Sequence, residues 1–203
     1  VAEMYLSGVI NQDGVVDGSL AATNPRIQPD GRTFSYEIMP ATETRGAVKI
    51  MQNDIRAIQL AKAALYAGIK LLMQYQDVDK VDRIRFAGAF GSHIDVKYAM
   101  VLGLIPDCIL EDVSSAGNAA GTGARIALLN AESRAEIEQV VRNVEKIETA
   151  VEPNFQQLFI DAMAFPNKVD AFPELSKVVT LPPVKAANAK TEESTKKRRR
   201  PRV

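Results

Sequence analysis

The chain has 203 residues, of which 46% are apolar and 25% charged, so it is expected to form one sizeable globular domain or two small ones. Its single cysteine, Cys108, excludes an internal disulfide framework and any multi-cysteine metal or iron–sulfur site within this chain, and fits a reducing, cytoplasmic setting. The chain has 25 basic and 25 acidic residues, and 8 of the basic and 2 of the acidic ones lie from Lys185 onward. The part before Lys185 therefore has 17 basic and 23 acidic residues, and this negative net charge argues against nucleic-acid binding.

No segment of the sequence has the pattern of a membrane span or a signal peptide. The most apolar run, residues 57–73, is interrupted by Gln59, Lys62 and Lys70, which makes it too short and too charged to cross a bilayer. The N-terminal residues lack the basic and apolar regions of a signal peptide. Residues 1–8 read as the last turns of a helix without a cap or an initiator methionine, so we expect the chain to be a fragment of a longer protein.

The first part of the chain predicts a loop followed by a β-hairpin. Residues 11–29 are rich in turn-forming residues and are expected to be irregular. Residues 33–39 alternate between apolar and polar side chains, which is typical of a strand, and residues 47–51 form a second short apolar run. We expect these two strands to pair, with residues 40–46 as their loop.

A long helix with apolar residues at helical spacing follows the hairpin. Asn53 or Asp54 is expected to cap it, and it should end near Tyr75. The periodic positions are Ile55, Ile58, Ala61, Leu65, Ile69 and Leu72. Residues 81–86 are then predicted as a strand that leads into a glycine-rich turn.

The rest of the chain alternates between predicted strands and helices. The expected order is a helix capped by Asp95 and ending near Gly103, a strand at 108–113, helices at 117–129 and 133–146, a strand at 147–151 and a helix at 154–163. Helices between strands, joined by glycine-rich turns, predict an α/β fold with a mixed sheet. Residues 181–203 are rich in Pro, Ala, Lys, Thr and Glu and end in a run of arginines, so they are expected to be a disordered basic tail.

Two glycine-rich turns carry the strongest functional signal. They lie at residues 86–93 and 114–123, each between a predicted strand and a predicted helix. Such a turn lets backbone amides approach a phosphate or a nucleobase without interference from a Cβ atom, although a single one more often serves only tight packing. Two of them about thirty residues apart favour a ligand. Neither is a P-loop or a clean dinucleotide fingerprint.

The other reactive side chains give weaker signals. His93 is the only histidine and has no neighbouring histidine or cysteine, so a metal site there is not expected and a loop or capping role is favoured. Ser92 and Ser115 lack a histidine base, which excludes nucleophilic catalysis by a Ser–His pair. Cys108 is expected to be a small buried residue in an apolar strand. Gln59 and Lys62 interrupt an apolar helix, and solvated side chains explain them as well as ligand contacts do.

Three segments resemble, in order, the C-terminal domain of the reductive activators of corrinoid proteins. They are residues 52–72, 83–95 and 114–124, and the resemblance covers about residues 1–180. These activators are iron–sulfur ATPases of the acetate kinase, sugar kinase, heat-shock chaperone and actin superfamily. The resemblance implies a ribonuclease-H-like α/β lobe with a mixed sheet flanked by helices. Residues 181–203 lie outside it.

The resemblance also implies a function for the whole protein. In that family a ferredoxin-like N-terminal domain holds a [2Fe–2S] cluster, and an ATPase-like domain uses ATP to drive electron delivery to an inactive Co(II) corrinoid, restoring Co(I) for methyl transfer. This chain would be the second ATPase lobe, binding ATP with Mg²⁺, with the cluster and the catalytic acidic residues elsewhere. The implied partner is a corrinoid protein; a homodimer is possible, and neither nucleic acid nor membrane is expected.

The resemblance assigns the candidate binding residues to three groups. The adenosine turn contains Gly88, Ala89, Phe90, Gly91 and Ser92. Polar contacts to the adenosine are assigned to Gln59 and Lys62, and closure of the pocket to Gly117 and Asn118. Ala89 departs from the superfamily, which often has a second glycine there, and its methyl group narrows the space for the nucleobase. No catalytic residue and no metal ligand is assigned.

Two other functions fit parts of the sequence. A sugar- or acid-kinase-like transferase would need a catalytic aspartate, but no acidic residue stands in a phosphate loop of this chain. A dimerisation or partner-docking module would retain the nucleotide site only as a vestige. The alanines of the long helix permit close helix packing at such an interface; they are Ala57, Ala61, Ala64 and Ala67.

Overall fold

The computed structural model describes residues 1–89, 91 and 93–183, except for the side chain of Ala150. The helices are α1 (Ala2–Leu6), α2 (Gln52–Tyr75), α3 (Val96–Val101), α4 (Ala119–Leu129), α5 (Ala131–Arg142), α6 (Phe155–Asp161) and α7 (Pro173–Val178). The strands are β1 (Ile27–Asp30), β2 (Thr33–Met39), β3 (Val48–Ile50), β4 (Ile84–Ala87) and β5 (Val113–Gly117). The α/β class predicted from the sequence is confirmed, with parallel and antiparallel strands in two hydrogen-bonded sheets.

The antiparallel sheet has the order β1–β2–β3 and contains the predicted hairpin. Tyr36 of β2 lies opposite Ile27 of β1 and Ile50 of β3. The prediction for β2 is confirmed, but the assignment of β1 to an irregular loop is wrong. Proline is unfavourable inside a sheet because it has no backbone N–H to donate. Pro29 is tolerated because β1 is an edge strand of this sheet and pairs on one side only.

Helix α2 begins at Gln52, two residues before the position that a cap at Asn53 implies and three before the position that a cap at Asp54 implies. The Asp54 carboxylate accepts a hydrogen bond of 2.8 Å from the Met51 N–H. Asp54 therefore stabilises the helix from inside its first turn rather than as the residue before it. The Gln52 side chain also fastens the helix to the preceding loop, since its amide donates to the Gly14 carbonyl at 2.7 Å.

The buried face of α2 differs from the one that apolar spacing indicated. Leu65 and Leu72 are exposed, at 46% and 56%. The residues buried on this helix are Ile55, Gln59, Lys62, Ala63, Tyr66, Ala67, Leu71 and Met73. Two polar side chains thus point into the core, and the predicted alanine stripe is not one free face, because Ala67 is fully buried while Ala57 is exposed.

The parallel sheet consists of β4 and β5. A strand was predicted at 108–113, but residues 110–112 form a short 3-10 turn and the strand starts at Val113. Cys108 is buried as expected, although it does not lie in a strand. The strand predicted at 147–151 is also wrong, because residues 149–151 form a 3-10 turn. Short apolar runs do not distinguish strands from other buried segments by periodicity alone.

The core joins the antiparallel sheet, α2, α3 and the C-terminal part of the described chain. Phe165 and Leu175 are fully buried in it, and the Tyr5 ring lies 5.8 Å from that of Phe165. Helix α7, which contributes Leu175, was not predicted. Among the described residues, none of the helices combines the length and apolarity that crossing a bilayer requires.

Asp107 holds the start of α7 in place. Its carboxylate oxygens accept hydrogen bonds from the backbone N–H groups of Glu174 and Leu175, at 2.9 and 3.0 Å. We expect Asp107→Ala to lower the free energy of unfolding by about 1–2 kcal/mol, the usual cost of losing a helix cap. Urea titration would measure it, with Asp79→Ala, at an exposed position, as the control. An equal loss in both variants would contradict the capping role.

Candidate functional site

The parallel pairing of β4 with β5 brings the two glycine turns together. Ala87 at the end of β4 lies opposite Gly117 at the end of β5. The Gly88 N–H donates a hydrogen bond of 2.8 Å to the Gly117 carbonyl. Because the carboxyl ends of parallel strands meet at the same edge of a sheet, the turns form one backbone surface, at the position where α/β proteins commonly bind ligands.

Gly88 and Gly117 keep this surface open. Their φ angles are +102° and +60°, in the left-handed region that favours glycine. A Cβ atom added at either residue would meet no other atom within 4 Å. The space beside both backbones is therefore free for a ligand group, and a side chain at either position would project into it.

The other residues of the first turn have different surroundings. A Cβ atom on Gly91 would lie 2.7 Å from the Cβ atom of Phe86, so this glycine allows the turn to fold back on its strand. Ala89 is exposed and has no left-handed φ, so its methyl group fits the backbone without strain. Phe90 and Ser92, predicted from the same motif, lie outside the described residues.

The second turn leads into a capped helix. The Asn118 side-chain oxygen accepts a hydrogen bond of 2.9 Å from the Gly121 N–H, which makes Asn118 the N-cap of α4. The Gly117 N–H donates to the Ser115 hydroxyl oxygen at 3.1 Å. Helix α4 therefore starts two residues after the predicted position. The amino end of an α-helix carries a partial positive charge, which favours anionic groups nearby.

Gln59 is buried and bonded within the protein. It is 1% exposed, and its amide donates hydrogen bonds to the carbonyls of Asp13 and Met163 at 3.0 and 2.9 Å. The interpretation as a solvated side chain is therefore wrong. Neither bonding partner belongs to a glycine turn, so the structure gives Gln59 the role of joining α2 to two loops.

Lys62 lies one turn further along the same face. It is 2% exposed, and its ammonium group donates to the carbonyls of Ala164 and Pro166, the latter at 2.8 Å. The nitrogen also lies 5.2 Å from the ring centre of Phe165. Burial lowers the pKa of Lys62 from 10.5 to about 7. The interpretation of Lys62 as a solvated side chain is therefore also wrong. Its hydrogen bonds hold residues 164–166 against α2.

A separate cavity of about 440 Å³ lies at the opposite end of the parallel strands. Val81 and Asp82, just before β4, line it together with Ile109 and Asp112, just before β5. Two other lining carboxylates have internal partners: Asp107 caps α7, and Asp170 accepts from the Tyr66 hydroxyl at 2.7 Å and pairs with Lys70. Among the described residues, no group of three or more His, Cys, Asp or Glu side chains is placed to hold a metal ion.

A family match assigns this lobe to the acetate kinase, sugar kinase, heat-shock chaperone and actin superfamily, abbreviated ASKHA. The family model described as "C-terminal domain of RACo the ASKHA domain" matches residues 1–176, and the chain belongs to this family. The domain boundary expected at residue 180 stays a prediction. Residues 184–203, most of the predicted tail, lie outside the described residues.

Two characterised relatives are similar over most of this chain. The corrinoid activation enzyme RamQ of Eubacterium limosum is 39% identical in an alignment of 178 residues, which covers 83% of this chain and 30% of that protein. A solved structure of a reductive activator for a corrinoid, iron–sulfur protein matches with a TM-score of 0.69 and 29% identity, over 82% of this chain and 27% of that one. The chain thus spans about three tenths of each relative.

Proposed function

We propose that the chain is the ATP-binding C-terminal lobe of a protein that activates corrinoid proteins by reduction. The observation that carries the proposal is the meeting of two glycine turns, held together by the bond from Gly88 to Gly117, with free space beside both backbones. Membership of the RACo family and the similarity to two corrinoid activators support the assignment of this surface to a nucleotide.

Within the proposed site each turn has a distinct task. Gly88, Ala89 and Gly91, with Phe90 and Ser92 of the same motif, would lie against the adenosine. Gly117 and Asn118 would close the pocket from β5 and present the amino end of α4 to an anionic group. Gln59 and Lys62 would act on the site only indirectly, because their polar atoms are bonded inside the core.

In the proposed whole protein, this lobe controls the timing of electron transfer. ATP with Mg²⁺ would supply the binding energy that favours one arrangement of the lobe and its missing partner. The electron would come from a reduced iron–sulfur cluster outside this chain, which is thereby oxidised as Co(II) becomes Co(I). The lobe itself would bind nucleotide and transmit its presence, without contributing a group to the redox step.

A kinase-like transferase is a weaker alternative. Residues 86–93 and 114–123 contain no aspartate or glutamate that could act as a catalytic base. A docking module with a vestigial nucleotide site would keep the same backbone but show no affinity for ATP. Nucleotide binding therefore separates the main proposal from the docking module.

Calorimetric titration of the purified chain with ATP is the direct test. We expect a saturable exothermic signal, with ADP also binding and inorganic phosphate giving none, since the first turn is assigned to the adenosine. Absence of heat at millimolar ATP would contradict the nucleotide role and favour the docking module.

The corrinoid role needs a test on the protein as it occurs in its own cells. In a reduced cell extract, ATP should convert an added Co(II) corrinoid protein to Co(I), followed by visible absorbance. Depletion with an antibody raised against this chain should abolish the conversion, whereas non-immune serum should leave it intact. Unchanged conversion after complete depletion would contradict the corrinoid role, whatever the outcome of the ATP titration.

A further inference from the structure

The cavity at the amino ends of β4 and β5 has a negatively charged lining. Its volume is about 440 Å³, and six carboxylates and two lysines line it. Three of the carboxylates have partners in the described part of the chain, because Asp107 caps α7 while Asp170 and Glu174 pair with lysines. The other three form no hydrogen bond or ion pair with a described residue; they are Asp79, Asp82 and Asp112.

The thiol of Cys108 lies in the field of these carboxylates. It lines the cavity and is 3% exposed. Burial raises the pKa of this thiol, and the carboxylates of Asp112, Asp107 and Asp82 raise it further. A negative charge on the sulfur is therefore disfavoured in the cavity, whereas a positive charge is favoured there.

The lining suits an organic cation better than a metal ion. Among the described residues, no group of three or more His, Cys, Asp or Glu side chains is placed to hold a metal ion. The cavity wall also includes the apolar side chains of Val81, Ile109 and Pro173. Separated carboxylates together with apolar surface fit several cationic groups on aliphatic stems, which is the chemistry of lysine and arginine side chains.

The chain itself contains a segment of this chemistry. Residues 184–203 include eight basic and two acidic residues, and six of the basic ones lie at 196–202 without an acidic residue among them. We call residues 196–202 the basic run. Elsewhere on the chain the charges are more balanced, since residues 119–142 contain three glutamates and three arginines. The cavity and the basic run therefore have complementary charges.

The basic run is tethered within reach of the cavity. The described chain ends at Pro183, nine residues after Glu174 of the cavity lining, so these two residues lie at most about 32 Å apart. The run begins thirteen residues after Pro183, and a chain of that length can span about 45 Å. Such a tether gives an effective concentration of roughly millimolar, which favours the run over a separate cationic partner.

We propose that the basic run docks intramolecularly into the acidic cavity at the amino ends of β4 and β5. Its cationic groups would pair with Asp79, Asp82 and Asp112, and the aliphatic stems would lie against the apolar wall. The glycine turns are at the opposite ends of the same strands, so docking leaves the proposed nucleotide surface free. The docking does not depend on the nucleotide proposal, and the ATP titration does not test it.

Zero-length carbodiimide cross-linking of the full 203-residue chain tests the docking. At low salt, Lys196 and Lys197 should be joined to the three free cavity carboxylates at least about threefold more often than to the exposed glutamates of α5, because the tether and several ion pairs act together. High salt should remove this preference, since it screens exposed charges. Mixing chains labelled with ¹⁴N and ¹⁵N identifies links between molecules. Links formed only between molecules, an even distribution over the exposed carboxylates, or no link at low salt would overturn the proposal.

The pKa of Cys108 gives a second readout from inside the cavity. Because a nearby cation lowers the pKa of a thiol, replacing the six basic residues of the run by glutamine should raise the Cys108 midpoint by at least about half a pH unit. NMR titration of the ¹³C-labelled single cysteine measures it. Lys185→Gln with Lys190→Gln is the matched control, since it removes charge from the same segment but outside the run, and should keep the wild-type midpoint. Equal midpoints in the six-residue variant and the wild type would contradict the docking.

Discussion

Replacing Gly117 with alanine is expected to lower the affinity for ATP at least about tenfold while leaving the chain folded. The residue has a φ of +60°, and its missing Cβ atom leaves free space at the junction of the two turns. Alanine would put a methyl group into that space and would cost roughly 1–2 kcal/mol of backbone strain. The strain is present with and without ligand and lowers only the stability, whereas the methyl group displaces the ligand, and a loss of 1.4 kcal/mol in binding corresponds to a factor of ten.

Gly31 is a closely matched control for this substitution. It also has a φ of +60°, and a Cβ atom there would meet nothing within 4 Å, but it lies in the turn between β1 and β2. Gly31→Ala should therefore lose similar stability and keep the ATP affinity of the wild type. Calorimetric titration and urea unfolding of both variants separate the two effects. Equal affinities for ATP in Gly117→Ala and Gly31→Ala would contradict the proposed site.

The stability of the chain is expected to rise between pH 7 and about pH 9.5 because of Lys62. Its pKa is about 7 in the folded chain and 10.5 for an unburied lysine. Between these values the unfolded chain binds more protons, so unfolding becomes less favourable as the pH rises, at up to about 1.4 kcal/mol per pH unit. Below pH 7 the lysine is charged in both states and this contribution is constant.

Lys62→Met isolates this contribution. Methionine has a similar length but donates no hydrogen bond, so the carbonyls of Ala164 and Pro166 lose their partner, and we expect a loss of a few kcal/mol. The difference in stability between wild type and variant should grow from pH 7 to 9.5. The lowered pKa of the Val1 amino group and the raised pKa of the buried Cys108 thiol act in both proteins and therefore cancel from this difference.

Urea titrations at several pH values below 9.5 provide the measurement. Above pH 10 the Tyr66 hydroxyl adds an opposite effect, because burial and its bond to Asp170 raise its pKa in the folded chain. Lys80→Met, at an exposed position, should keep the wild-type slope. A slope in Lys62→Met equal to that of the wild type would show that this lysine is not the source of the pH dependence.

Local pattern was sufficient where neighbouring residues determine the structure. The alternation of residues 33–39 predicted β2 with its observed bounds. Asp95 caps α3 as expected, since its carboxylate accepts a hydrogen bond of 3.0 Å from the Tyr98 N–H. The apolar spacing of residues 52–75 predicted a long helix correctly, because helix formation depends on contacts three and four residues apart.

Strand β1 was missed although its partner is local, because β2 begins only three residues after β1 ends. The other errors lie where a partner distant in the sequence decides the structure. Strand β5 starts late because only residues from Val113 onward lie opposite β4. Helix α7 depends on Asp107, which lies 67 residues before Glu174. Nothing within a short window reports such contacts, so these elements could not be predicted from the local pattern.

By itself the sequence determined that two glycine turns follow strands, that one cysteine cannot hold a cluster and that the body is acidic. The tertiary structure decided which of the predicted site residues meet. Parallel pairing of β4 with β5 joins Gly88 to Gly117, whereas Gln59 and Lys62 turn into the core to bond backbone carbonyls about a hundred residues away. The physical reason is that backbone conformation follows local chemistry, but a polar side chain bonds to whichever buried group folding places beside it.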